Sequence, residues 1–270
     1  MEITIQDCSY YVEMAGEGPP LLLLHGFTGS GATWRETVNM LKDCFCCVTV
    51  DILGHGRSAA PKEAERYRIQ LVAQDMKELM KELGHSRFHL LGYSMGGRLA
   101  LTIAVMFPEA VQSLILESAS PGLRTEEERS MRRQSDEELA KRIEREGIES
   151  FINYWENIPL FETQKQLSRD RQQAIREERL QNKAAGLSGS LRGMGTGAQP
   201  SWWPLLPQLR MPVLLVTGSK DQKFAGIANE MQELLSVSAW KEINAAGHAI
   251  HVEECRKFGT IVKEFLLHTS

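Results

Sequence analysis

No apolar run in the 270-residue chain approaches the ~20 residues that span a bilayer; the longest, Pro19-Pro20-Leu21-Leu22-Leu23-Leu24, is far too short, so membrane insertion is not expected. The N-terminus, Met1-Glu2-Ile3-Thr4-Ile5-Gln6-Asp7, lacks the basic and apolar regions of a secretory signal. Charge of one sign is lacking too: the net charge of -4 gives no reason to expect nucleic acid as a partner. Cysteine is scarce, odd in number (Cys8, Cys44, Cys46, Cys47, Cys255) and crowded into 44–47, unlike a secreted disulfide scaffold and suited to a reducing cytoplasm. Cys44, Cys46 and Cys47 have no fourth ligand nearby and read as small buried hydrophobes of a strand ending at Val50, so no metal is expected. There are no internal repeats and no dinucleotide fingerprint, since Gly193-Met194-Gly195-Thr196-Gly197 follows no strand.

What is present is an ordinary globular composition, 42% hydrophobic and 24% charged, in a length that one domain can fill. Short apolar runs recur at Leu21–Leu24, Cys46–Val50, Phe88–Leu91, Ser113–Glu117 and Val213–Thr217. Each ends in a turn, and helical spacing intervenes, as at Leu71, Val72, Met76, Leu79, Met80 and Leu83. Runs apolar on both faces, alternating with helices, predict an α/β fold with a mostly parallel central sheet flanked by helices, and a site at the carboxyl ends of the strands. The stretch 123–200 breaks this pattern. It has no strand-like run and holds 11 of the 19 arginines, which predicts a helical cap inserted into a core made of 1–122 and 201–270. Ser135 and Glu138 resemble a capping box, Ile148, Phe151, Ile152 and Trp155 follow at helical spacing, and the glycine-rich 186–197 reads as a structured loop.

Gly92-Tyr93-Ser94-Met95-Gly96 fits G-x-S-x-G, with a strand before it and the apolar helix of Leu99, Ala100, Ile103 and Ala104 after it. Strand, sharp turn and helix are what a nucleophile elbow of the α/β-hydrolase fold requires. Its chain order, serine then acid then histidine, points to Asp221 after the late strand and to His248 in Ala245-Ala246-Gly247-His248. The backbone N–H groups of Phe27 and Met95 are the expected oxyanion hole. His25 and His55 read as structural, and His251, one helical turn past His248, as a capping or packing residue.

Beyond these general motifs, His25-Gly26-Phe27-Thr28-Gly29-Ser30, Gly54-His55-Gly56-Arg57-Ser58, Ser120-Pro121-Gly122-Leu123, Arg132 to Asp136, Ser190 to Gly197 and Asp221-Gln222-Lys223-Phe224 resemble one family. It is the 2-succinyl-6-hydroxy-2,4-cyclohexadiene-1-carboxylate (SHCHC) synthase family of menaquinone biosynthesis, and the resemblance runs from about Leu24 to about Phe258. One departure is Val252-Glu253-Glu254-Cys255, where the family often has a proline. The resemblance implies a lyase in which the Ser-His-Asp triad acts as base and pyruvate leaves an enolpyruvyl ether. No cofactor is implied. The implied partner is a small polycarboxylate, and the protein is expected to be a monomer or weak homo-oligomer. It also implies substrate contacts from Tyr93, Arg98, Arg132 and Trp155, with Arg179 and Arg192 as further candidates, because arginine pairs bidentately with carboxylate. Arg129, Arg133, Arg142 and Arg145 lie among glutamates and read as solvated ion pairs.

Two alternatives remain at the level of sequence. One is a serine hydrolase (esterase, thioesterase or C–C bond hydrolase) with the same triad; the other is a non-catalytic ligand receptor on the same fold. The residues alone do not separate proton abstraction from nucleophilic attack, since one triad serves both.

Overall fold

A computed structural model describes residues 1–269, and in it the apolar runs become the middle of an eight-stranded sheet. The strands are β1 (Glu2–Ile5), β2 (Cys8–Ala15), β3 (Pro20–Leu24), β4 (Cys46–Val50), β5 (Phe88–Tyr93), β6 (Val111–Glu117), β7 (Val213–Gly218) and β8 (Ser238–Ile243). Their order is β1-β2-β4-β3-β5-β6-β7-β8. The pairings β1–β2 and β2–β4 are antiparallel, and every pairing from β4 to β8 is parallel. The helices are α1 (Arg35–Leu41), α2 (Ile69–Glu82), α3 (Met95–Met106), α4 (Glu126–Trp155), α5 (Arg169–Leu180), α6 (Ala184–Met194), α7 (Gln222–Leu234), α8 (Ile250–Glu253) and α9 (Cys255–Thr269).

The continuous leucines of β3 are apolar on both faces because both faces are covered. Leu22 and Leu24 join a core with Val72 and Met76 of α2 and Leu99 of α3. Leu21 and Leu23 join a second core with Leu41 of α1 and Phe258 and Val262 of α9. Cys46 and Cys47 are buried in β4, and all five thiols are free. Among the described residues no helix is long and apolar enough to cross a membrane.

Between β6 and β7 the chain leaves the sheet and forms α4, α5 and α6, whose Ala140, Ile143, Phe151, Ile152, Leu187 and Leu191 make a small apolar cluster of their own. Two local expectations are corrected here. The capping box of α4 is not at Ser135: Thr125 Oγ1 accepts from the Glu128 N–H (3.2 Å), and Glu128 accepts from the Thr125 N–H (2.8 Å). Ser135 lies inside the helix and donates to the Met131 carbonyl, a role open to serine once a stronger cap lies upstream. The glycine-rich stretch is not a loop either, since Ala184–Met194 is helical. Its glycines cost helix propensity, but they let α6 lie directly on Tyr67 and Gly54, and packing overrides propensity. α4 turns at Gly147, whose φ of 80° is open to glycine without strain.

Candidate active site

The turn between β5 and α3 is built by close approach. A Cβ on Gly96 would lie 2.2 Å from the Leu24 carbonyl oxygen and 2.5 Å from that of His25, so no other residue fits where the helix passes β3. Ser94, pinched into this turn, has φ 51° and ψ -107°, a strained backbone for a side-chain residue and one found where function over-determines geometry. Its N–H donates to the Glu117 carbonyl, and its carbonyl receives Arg98 N–H as α3 begins.

Two later turns meet this serine. Asp221 caps α7, its Oδ1 accepting from the Phe224 N–H, while Oδ2 lies 2.6 Å from His248 Nδ1. His248 Nε2 lies 3.0 Å from Ser94 Oγ. An ionised carboxylate only accepts, so Nδ1 carries the imidazole proton and Nε2 is left to receive the serine hydroxyl's. The backbone N–H groups of Phe27 and Met95 donate to no carbonyl among the described residues, and both residues line the cavity at Ser94.

That cavity, of about 260 Å³, lies between the carboxyl ends of the strands and the inserted helices. Tyr93, Ser94, Arg98, Arg132, Trp155 and His248 all line it. Arg98 is the most constrained: its Nη1 donates to the Met194 carbonyl (2.6 Å) and to Gln199 Oε1 (2.9 Å). Burial, then the like charge of Arg132, pushes its guanidinium down to about 10, so it stays charged at neutral pH with only neutral oxygens bonded to it. Arg132 Nε donates to Asp136 (2.7 Å). The Trp155 indole N–H is buried without a partner, and its ring lies edge-on to Phe27. Burial raises the Tyr93 phenol well above its ordinary range.

Arg179 and Arg192 are not brought to this cavity. Arg179 is buried, bonded to Gln164 and seated over the Phe161 ring, and it lines a small neighbouring cavity that shares Phe27, Tyr93 and Phe161 with this one. Arg192 is paired with Glu137 and Glu144 on α4, so its charge is already neutralised. Arg129, Arg133, Arg142 and Arg145 pair with Glu126 and Glu146, as their surroundings predict.

Several residues near the site gave no signal in the sequence. Glu253 accepts from the Gly247 N–H (2.5 Å), more weakly from Ala249 N–H, and from the Thr163 hydroxyl of the insertion (3.0 Å), so it grips the chain on both sides of His248. Burial, opposed by these bonds, raises its pKa. Asn182 at the end of α5 donates to the Thr28 carbonyl, and Glu178 accepts from the Ser30 N–H and hydroxyl, fastening the insertion to the loop that carries Phe27. Such contacts join positions remote in sequence and have no local pattern. His25 is structural, its Nε2 accepting from the Ile52 N–H. His251 is buried against Trp34 and bonded to Glu117 and Thr33, behind Tyr93. A larger cleft of about 650 Å³ between α5 and residues 30–36 includes Thr33 and His251 but none of Ser94, Asp221 and His248.

The chain is also similar to known proteins in sequence and fold. Residues 19–254 match the family described as alpha/beta hydrolase fold. The chain is 33% identical, over 87% of its length and 86% of the relative's, to the 2-succinyl-6-hydroxy-2,4-cyclohexadiene-1-carboxylate synthase of Enterobacter sp. (strain 638). A protein of Bacillus subtilis (strain 168) given the same name provisionally is 44% identical over 98% of both chains. The solved structure of MenH from S. aureus superposes with a TM-score of 0.91 at 35% identity, covering 96% of this chain and 98% of that one.

Proposed function

We infer the reaction from the family: the chain belongs to the α/β-hydrolase-fold family and, within it, to the 2-succinyl-6-hydroxy-2,4-cyclohexadiene-1-carboxylate synthases. It is an enzyme of menaquinone biosynthesis, and a lyase despite its fold. The reaction is elimination of pyruvate from 2-succinyl-5-enolpyruvyl-6-hydroxy-3-cyclohexene-1-carboxylate, with the stretch 123–200 as the cap over the site.

In our reading Ser94 is the base. Its hydroxyl proton passes to His248 Nε2, and Asp221 holds the ring in the tautomer that can take it. The serine oxygen removes the ring proton beside the succinyl carbonyl. The electron pair shifts through the ring double bond, a second ring double bond forms, and the carbon–oxygen bond to the enolpyruvyl group breaks. The departing enolpyruvate takes up a proton, returned through His248, and becomes pyruvate. Enolate charge collects on the succinyl carbonyl oxygen, where the Phe27 and Met95 N–H groups are free to donate. Tyr93 and Trp155 shape the cavity, and Arg98 and Arg132 bind carboxylates. Five free thiols suit a reducing compartment, so the reading places the enzyme in the cytoplasm, as a monomer or weak homo-oligomer.

The observation that carries this reading is Arg98, a half-buried guanidinium with no carboxylate bonded to it on the wall of the cavity that holds Ser94. A neutral ester gives no reason to hold such a charge against the reacting serine, partly out of water. The test is release of pyruvate from the enolpyruvyl substrate by the purified protein, with Ser94→Ala lowering kcat by about a thousandfold or more. Brisk hydrolysis of p-nitrophenyl esters with that substrate left untouched would sink the synthase reading and favour a serine hydrolase.

A further inference from the structure

Three long cationic side chains line the cavity at Ser94: Arg98 of α3, Arg132 of α4 and Lys223 of α7. The first two are already engaged, Arg98 with Met194 and Gln199, and Arg132 with Asp136. Among the described residues Lys223 has no hydrogen bond and no salt bridge, only a ring contact. Its ammonium group lies 5.6 Å from the Phe224 ring, which itself packs against His248 with centroids 4.7 Å apart. Lys223 is exposed, so it stands at the rim of the cavity while Arg98 lies in its wall.

The position is a poor one for lysine on helical grounds. Lys223 is the second residue of α7, next to unpaired backbone N–H groups, and the positive end of a helix disfavours a cation. Asp221 relieves part of that field as N-cap, but its other oxygen is committed to His248. An anion arriving in the cavity would meet both the ammonium group and the helix end.

We propose that Lys223 is the third carboxylate-binding residue of this site, a counter-ion at the rim for the substrate carboxylate that Arg98 and Arg132 leave unpaired. The assignment rests on the synthase reading, whose substrate carries three carboxylates: one on the ring, one on the succinyl arm and one on the enolpyruvyl group. Arg179 and Arg192 are not placed to supply the third cation, because the first does not line this cavity and the second is held by Glu137 and Glu144.

A rim cation acts on capture, not on the chemical step, so its removal falls on KM. The experiment measures pyruvate release from the enolpyruvyl substrate at low and high ionic strength for the wild type, Lys223→Met and Lys223→Arg. Labelling of Ser94 by a neutral fluorophosphonate reports in parallel whether each variant keeps a folded, armed triad. Expected for Lys223→Met are a KM raised about tenfold at low salt, a kcat within about twofold of wild type, unchanged labelling, and a KM that responds less to salt. Lys223→Arg restores most of the loss. A Lys223→Met enzyme with the wild-type KM at low salt, or one impaired in kcat alone, overturns the assignment while leaving the synthase reading intact. A wild type that releases no pyruvate removes both.

Discussion

Arg98 and Ser94 share one helical turn, and their burial states explain how the site stays charged. Ser94 needs the strained turn and His248; Arg98 needs the neutral oxygens of Met194 and Gln199 to hold its fork in place. A lysine there would keep the charge but could not satisfy both acceptors and a carboxylate with one point donor. Arg98→Lys should therefore lower kcat/KM by about a hundredfold. A dicarboxylate that raises the Tm of the wild type should fail to raise that of Arg98→Met. Equal shifts in the two proteins would place carboxylate binding elsewhere. Ser94, Asp221 and His248 were legible in the sequence because the elbow and the chain order are local and ordered signals. Arg98 followed from its spacing to Ser94 together with the family resemblance. Lys223 and Glu253 were not legible as site residues, since what distinguishes them is which remote groups they meet: the cavity for one, and Gly247, Ala249 and Thr163 for the other.

The central strands were legible because each is apolar on both faces. The edge elements were not: β8 alternates burial weakly, and β1 and β2 form a hairpin whose antiparallel pairing rests on tertiary contacts. In α6 glycine misled, since propensity argued against a helix that packing against Tyr67 imposes. Two glycines separate these effects. Gly226 in α7 has nothing within 4 Å of where a Cβ would sit, so Gly226→Ala should gain about 0.5–1 kcal/mol from lower entropy in the unfolded chain. Gly189 in α6 would set a Cβ 2.5 Å from the Tyr67 ring, so Gly189→Ala should lose about 1–3 kcal/mol through overpacking despite the better helix former. Urea unfolding of both variants checks this. A gain at Gly189 would mean that α6 does not rest on Tyr67 as described.

At the scale of the whole molecule, acid should unfold this protein through histidines that take no part in the chemistry. Burial pushes His25 and His89 down to about 4; His55 falls to about 3, through burial first and the neighbouring His25 second. All three are fully inside, His25 and His55 with ring centroids 5.1 Å apart beneath Phe27. The unfolded chain takes up these protons near the ordinary value of 6.5, and the folded chain does not until the depressed values are reached. The unfolded state thus binds more protons between pH 6.5 and about 4. Stability is at full value above pH 6.5 and falls as pH drops through that window, by up to about 1.4 kcal/mol per pH unit for each histidine. Asp75, Glu178 and Glu253 act in the opposite sense, because burial raises their pKa values and folding then favours their protonated forms at lower pH. The decline should accordingly be steepest about a pH unit below 6.5, where the unfolded imidazoles are nearly all protonated and the folded ones are not, and ease toward pH 4. Urea unfolding at pH 7.5, 6.5, 5.5 and 4.5 should trace that curve. His55→Asn, whatever its absolute stability, should show a shallower fall than the wild type. A wild-type stability flat from pH 7.5 to 5.5 would mean that these imidazoles are charged in the fold or in contact with water, and the sealed layer of histidines under the Phe27 loop would have to be redrawn.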